Sequence, residues 1–284
     1  MRILVFGSSG MLGSTMIRVL NEKKDWQVFG TLRTAAYRRF FSPDIAERLL
    51  PGIDVERPDS LVEALIWSRP DVVINCVGLI KQLADLEEPL LSIPINALLP
   101  HRLSRLCEVS GARLVHISTD CVFAGDKGGY CESDLSDAHD LYGKSKFLGE
   151  VMYSHTVTLR TSMIGHELQS KHGLVDWFLS QQVQCKGFNR AIFSGLPTVV
   201  LAKIIRDVVI SRPDLSGLYH VAAQPISKYD LLRLIAHVYG KSIEVVADDK
   251  LVIDRSLNAQ RFQLATGYVP PEWPELIKVM CAYK

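Results

Sequence analysis

Tyr142 and Lys146 stand four residues apart in Tyr142-Gly-Lys-Ser-Lys146, and Thr119, in the triplet Ser118-Thr-Asp120, lies 23 residues before that tyrosine. Residues four apart on a helix share a face, so an ammonium sits beside a phenol. A phenol with its usual pKa near 10 exchanges protons poorly at neutral pH. A unit positive charge about 4 Å away contributes roughly 4 kcal/mol at an effective dielectric near 20. Lys146 is therefore expected to draw Tyr142 down toward working range, while the Thr119 hydroxyl, at a strand end, binds and orients the same substrate oxygen. That equipment suits proton exchange with a carbonyl oxygen.

A second constellation opens the chain. Gly7-Ser-Ser-Gly10-Met-Leu-Gly13 falls between an apolar run and the first helical pattern. Glycines there permit a tight turn and close approach of the backbone to a pyrophosphate, and a helix start offers free N–H groups. Gly7, Ser9, Gly10, Met11, Leu12 and Gly13 are the expected contacts of a dinucleotide. The next strand ends Phe29-Gly-Thr-Leu-Arg33, with no carboxylate before Asp44. An acidic residue at that strand end would accept from a ribose 2′-hydroxyl, whereas an arginine pairs with a 2′-phosphate. Arg33 thus favours NADP(H) over NAD(H), with Thr31 and Arg38 as weaker helpers.

These residues need a scaffold that brings strand ends together. The periodicity predicts strands over 2–6, 26–30, 52–55, 71–76, 113–118 and 157–160, alternating with helices over 11–24, 60–68, 96–110 and 142–153. Nearly continuous apolar strands separated by helices imply a parallel sheet covered on both faces. The fold class is α/β, a Rossmann-type doubly wound parallel sheet with a smaller, mostly helical substrate lobe. Residues 1–160 are expected to form the dinucleotide-binding domain. Residues 161–284 form mainly the substrate lobe, with helices over 174–185, 198–211, 227–239 and 271–283 and short strands at 218–221 and 243–246. A segment at about 190–212 is expected to return to the first domain.

Composition removes several other classes. The 284 residues carry 32 Lys and Arg against 31 Asp and Glu, a net charge of +1 that provides no field for gathering nucleic acid or anionic lipid. The longest apolar stretch, Asp71 to Ile80, is too short for a bilayer, and the first residues lack a signal peptide's long apolar core. The six cysteines form no CxxC pair and the eight histidines no HExxH spacing, so no metal site is expected. Reduced thiols and a cytoplasmic setting follow.

With these motifs in order, the chain resembles the extended short-chain dehydrogenase/reductase superfamily. The likeness runs through GSSGMLG, Asp54-Val55, Asn75-Cys-Val-Gly78, Asn96, STD and YGKSK. Within it the chain is most similar to the dTDP-4-dehydrorhamnose reductase family, through STDCVFAG, YGKSKFLGE, Leu159-Arg-Thr-Ser162, Gly195-Leu-Pro-Thr198, Gly217-Leu-Tyr-His-Val221 and Arg255-Ser-Leu-Asn258. The resemblance implies Thr119, Tyr142 and Lys146 as the catalytic set, with Asn96 supporting them. Lys146 and Tyr142 would also touch the nicotinamide ribose. Asp54 and Val55 would lie on the adenine side, and Cys76, Val77 and Gly78 along the cofactor. It implies hydride from NADPH to a 4-keto group of a nucleotide-linked 6-deoxy sugar, with the proton from Tyr142, and use in polysaccharide precursor synthesis.

The chain departs from that family in three places: its tyrosine after Ser-Thr-Asp is Cys121 here, Asn75-Cys-Val-Gly78 replaces a more Ala-rich run, and 78–94 reads unlike the usual continuation. The dehydratases of the superfamily have Asp then Glu after the catalytic threonine, so Cys121 also removes their second carboxylate. GDP-L-fucose synthase keeps an acid/base cysteine two residues past its catalytic serine, which makes an epimerase/reductase using Cys121, partnered by His166 or His172, the alternative. A non-catalytic NADP-binding regulatory subunit is another. For the nucleotide-sugar substrate the candidates are Lys81, Gln82, Val122, His166, Arg190 and Arg255. Trp177 is either a cover for the sugar or a core residue, and a homodimer stays open.

Overall fold

The computed structural model describes residues 1–79, 88–169 and 172–283. The first half alternates β1 (Arg2–Phe6), α1 (Met11–Leu20), β2 (Gln27–Thr31), α2 (Pro43–Ala46), β3 (Leu49–Leu50), α3 (Pro58–Ser68) and β4 (Val72–Asn75). It continues through α4 (Pro89–Ser92), a π-helical stretch Ile93–Leu98, α5 (Leu99–Ser110), β5 (Arg113–Thr119), α6 (Leu141–Leu148) and β6 (Thr156–Thr161). Beyond these come β7 (Met163–Ile164), α7 (Leu174–Ser180), β8 (Gln184–Phe188), β9 (Ala191–Phe193), β10 (Leu196–Pro197), α8 (Thr198–Ile204) and β11 (Gly217–His220). The chain closes with β12 (Ile226–Ser227), α9 (Lys228–Val238), β13 (Glu244–Asp248), β14 (Ile253–Asp254), α10 (Gln260–Thr266) and α11 (Trp273–Ala282).

A seven-stranded sheet in the order β11-β6-β5-β4-β1-β2-β3 pairs parallel throughout. Alternation along each strand builds the two layers. Ile3 and Val5 join the core formed with Met16, Val199 and Ile277, while Leu4 and Phe6 join the opposite one with Leu61, Leu99 and Leu103. Strand order reverses at β1, between β2 and β4, so a crevice opens past the carboxyl ends of β1 and β4, where such sheets hold ligands. The sheet takes β11 from beyond residue 160, and α8 packs on α1, where Thr15 and Thr198 share a hydrogen bond of 3.3 Å.

Several boundaries differ from the sequence reading. The third strand is Leu49–Leu50 rather than 52–55, because Gly52 takes a left-handed φ of 81° that breaks the ladder. Helix α6 stops at Leu148. A β-carbon at Gly149 would lie 2.0 Å from the Asn96 carbonyl oxygen, so the chain turns off at that crossing. The segment expected as helix to 185 ends at Ser180, and β8 then pairs parallel with β13. The chain beyond residue 160 therefore carries small sheets beside its helices. Among the described residues no helix is long and apolar enough to cross a membrane.

Candidate active site

The glycine turn is built by close approach. Gly7 adopts φ 82°, and a β-carbon on Gly13 would stand 2.0 Å from the Gly7 carbonyl oxygen. Side chains at either position would break the turn. Gly10 is exposed and caps α1 without a side-chain hydrogen bond, and the first turn holds no acidic residue. Backbone N–H groups and the positive end of a ten-residue helix are thus presented on a bare glycine surface, which fits a dinucleotide diphosphate. Ser9 and Met11 are half-buried at this rim. Leu12 is buried in the core and can serve only through its main chain.

Arg33 is exposed just past β2. Thr31 is spent on the turn: its hydroxyl accepts from the Gly7 N–H at 3.3 Å and its carbonyl from the Ser8 N–H at 3.1 Å. Arg38 donates twice to the Leu49 carbonyl, from Nε at 3.0 Å and Nη2 at 2.6 Å, so this contact holds one edge of its guanidinium. Asp54 is exposed, its carboxylate accepting from the Glu56 N–H at 3.1 Å, and Val55 packs on the core beside it. Val77 and Cys76 pass within 3.2 Å of where a Gly7 β-carbon would lie. A β-carbon on Gly78 would be 3.6 Å from Asn96 Oδ1 and 3.8 Å from Lys146 Nζ, so this segment runs from the glycine turn to Asn96 and Lys146.

Thr119 ends β5, and its hydroxyl donates to Asp120 Oδ1 while accepting from the Cys121 N–H, both at 3.1 Å. Helix α6 starts at Asp140, whose carboxylate caps the Gly143 N–H at 2.7 Å. Gly143 is required by packing, since a β-carbon there would lie 2.2 Å from the Cys121 carbonyl oxygen. This seating sets Tyr142 beside the Thr119–Cys121 segment. Lys146 is 4 % exposed and donates from Nζ to the Ile117 carbonyl at 2.9 Å. Asn96, in the π-helical stretch, accepts from the Leu79 N–H at 3.0 Å and donates to Ser145 Oγ at 3.2 Å. Widened helical turns of this kind are frequent at functional sites.

Burial governs the protonation states. It lowers Lys146 to about 8, against the opposing charges of Glu150 and Cys76. It also pushes Tyr142 above its ordinary value, with the charges of Cys121, Asp120 and Asp140 acting in the same direction and hydrogen bonding with Thr119 against them. The expectation that Lys146 draws Tyr142 downward is therefore corrected for this state of the protein. The phenol stays protonated at neutral pH, the form a proton donor needs. Burial likewise raises Asp120, opposed by Arg255, and pushes the Cys76 thiol up to about 12.

Of the substrate candidates, Arg255 reaches this site. Its Nε donates to the Phe123 carbonyl at 2.7 Å and its Nη1 to Cys121 Sγ at 3.7 Å. Val122 is fully buried with Phe123, Tyr130 and Leu257, so its side chain belongs to the core. His166 places both ring nitrogens elsewhere, on Asp176 Oδ1 at 2.8 Å and the Tyr239 hydroxyl at 2.9 Å, and is not a partner for Cys121. The exposed His172 has its N–H held by Glu167. Arg190 is exposed between β8 and β9, and its carbonyl accepts from the Ile253 N–H. Trp177 is 38 % exposed on α7, which removes the core reading. Lys81 and Gln82 lie outside the described residues.

The sequence reading passed over a buried polar group under the site, formed by Ser118, Glu150, Arg160 and His220. Its signal was an arginine and a histidine inside otherwise apolar strands, Val157 to Arg160 and Leu218 to His220, since an ionic side chain in such a run is buried only with a partner.

The whole chain matches known proteins. A family model described as the RmlD substrate binding domain matches residues 1–282. The dTDP-4-dehydrorhamnose reductase of Aggregatibacter actinomycetemcomitans is 24% identical across 99% of both chains. Methionine adenosyltransferase 2 subunit beta of Xenopus laevis is 24% identical over 84% of this chain and 72% of its own length. Among solved structures, the dTDP-4-dehydrorhamnose reductase of Bacillus anthracis in complex with NADP superposes with a TM-score of 0.81 at 20% identity, covering 100% of this chain and 98% of its own. The chain belongs to the RmlD substrate binding domain family.

Proposed function

We propose that this member of the RmlD substrate binding domain family is an NADPH-dependent reductase of a nucleotide-linked 4-keto-6-deoxy sugar, similar to dTDP-4-dehydrorhamnose reductase. The observation that carries the reading is the gathering of the glycine turn, Asn96, Thr119, Tyr142 and Lys146 along one crevice at the carboxyl ends of parallel strands. The NADP named with the Bacillus anthracis reductase supports the cofactor, as does the exposed Arg33 where an acidic residue would oppose a 2′-phosphate.

Gly7, Ser9, Gly10 and Gly13 with the start of α1 would hold the diphosphate, Arg33 the 2′-phosphate, and Cys76 to Gly78 the nicotinamide side. When bound, NADPH supplies hydride to the sugar's carbonyl carbon. Tyr142 donates its proton to the carbonyl oxygen as negative charge develops there. The Thr119 hydroxyl orients that oxygen, and the Lys146 ammonium favours the resulting tyrosinate. Arg255, beside Cys121, is the candidate for the substrate's diphosphate.

Loss of NADPH absorbance with dTDP-, UDP- and GDP-linked 4-keto-6-deoxy sugars tests the reading, with turnover expected on at least one. Tight NADPH binding without turnover across that panel would contradict it and favour a non-catalytic subunit, the kind of component named in the Xenopus relative as a subunit beta. The Cys121–Arg255 contact favours a second reading, because a guanidinium stabilises a thiolate able to exchange a proton beside the ketone. Solvent deuterium at C3 or C5 of the product, lost in Cys121→Ser, is the outcome of that epimerising chemistry.

A further inference from the structure

Directly behind Thr119, Ser118, Arg160 and His220 stand abreast on β5, β6 and β11, in register across three strands. Arg160 grips Glu150 in a fork, Nε to Oε1 and Nη2 to Oε2, both at 2.7 Å, with the two side chains 3 % and 4 % exposed. Ser118 Oγ donates to the same carboxylate at 2.7 Å. Arg160 Nη1 donates to His220 Nε2 at 3.3 Å, so the hydrogen of this imidazole lies on Nδ1 and goes to the Tyr130 carbonyl at 3.0 Å. The His220 N–H closes the row on Glu132 Oε1 at 2.7 Å. Phe123 lies under the guanidinium at 5.1 Å and stacks on Tyr130.

Glu150 follows α6 after the single residue Gly149, and Ser118 lies between Ile117, whose carbonyl holds Lys146, and Thr119. One carboxylate therefore ties the helix carrying Tyr142 and Lys146 to the strand end that receives them. Its counter-ion continues the tie to the 130–132 loop.

We propose that Glu150 is a positioning residue for the reaction: clamped by Ser118 and Arg160, it fixes the seating of Lys146 and Tyr142 against β5 and couples that seating to the loop around Tyr130. The proposal rests on the reductase reading of the site. Two features separate this role from ordinary core packing. The tie has direction, since bidentate pairing fixes orientation as well as distance. The carboxylate is also the anionic partner that supports the Lys146 ammonium. Among the described residues, the titratable groups that share the field of Lys146 are Glu150 just beyond its helix, Cys76 after β4 and His116 on β5.

Glu150→Gln alone leaves the Arg160 charge buried and unpaired, so the primary test is the double variant Glu150→Gln/Arg160→Met, which removes both charges together. Native near-ultraviolet dichroism is the control for its fold. With NADPH and the ketosugar, kcat should fall by about 100-fold with KM nearly unchanged, the signature of misplaced reacting groups. Lys146, followed by ¹⁵N NMR of its ammonium, should titrate below the wild-type value of about 8. Ser118→Ala removes the strand tie alone and should lower kcat about 3-fold without moving KM. A folded double variant with wild-type kcat and Lys146 titration would overturn the proposal, as would a fully active Ser118→Ala protein. If the wild type turns over no ketosugar, the reductase reading fails, while the Lys146 titration still decides the role of Glu150.

Discussion

At the residue scale the charge on Lys146 is the controlling quantity. Burial sets its folded value near 8, below the ordinary lysine value near 10.4. As pH rises through about 8 the ammonium is lost, so kcat/KM, which reports the free enzyme, should fall above that point. Stability should move the other way. Between these two values the unfolded chain binds more protons, and this group's contribution to stability rises with pH. A basic limb at the ordinary lysine value would contradict the assignment. Arg33 is the residue proposed to set the cofactor preference: Arg33→Ala should weaken NADPH binding roughly tenfold or more and leave NADH nearly unchanged, as read by fluorescence titration. Equal loss for both would remove its role. Tyr142, Lys146 and the glycine turn were legible in the sequence because each is set by local spacing. The protonation of Tyr142 was not, since burial and the charges of Cys121 and Asp120 come from a segment distant in sequence that only the fold brings beside the phenol. His166 misled for the same reason: its partners Asp176 and Tyr239 meet it only in the folded lobe.

At the element scale the site depends on how closely α6 approaches the turn after β5. Gly143 and Gly149 permit contacts that a β-carbon would bring to 2.2 and 2.0 Å from backbone oxygens. Gly143→Ala should push α6 away from Cys121, lowering both thermal stability and kcat, the latter by about 100-fold for a displacement near 1 Å. Unchanged kinetics in a crystallographically unshifted variant would refute that packing role. Helices and strands of the first half were readable from apolar periodicity, whereas two-residue strands such as β3, β7 and β10 carry too few residues for any period to register. The early end of α6 is likewise a packing effect, imposed by the Asn96 carbonyl.

At the scale of the whole molecule, the sheet draws its seventh strand from beyond residue 160, and the row Ser118–Arg160–His220 runs through that junction. The segments before and after residue 160 are thus joined through the floor of the site. The near-zero net charge agrees with this design, since the glycine turn, a helix start and single arginines would hold anionic ligands locally. The most direct measurement of the central claim is deuteride transfer from 4-deuterated NADPH to a nucleotide-linked 4-keto-6-deoxy sugar, in the wild type and in Tyr142→Phe. With the wild type, deuterium should appear at C4 of the product. The variant should bind NADPH normally and react roughly 100- to 10,000-fold more slowly, as removal of a general acid requires. Deuterium transfer at an undiminished rate in the variant, or none to any such sugar in the wild type, would contradict it.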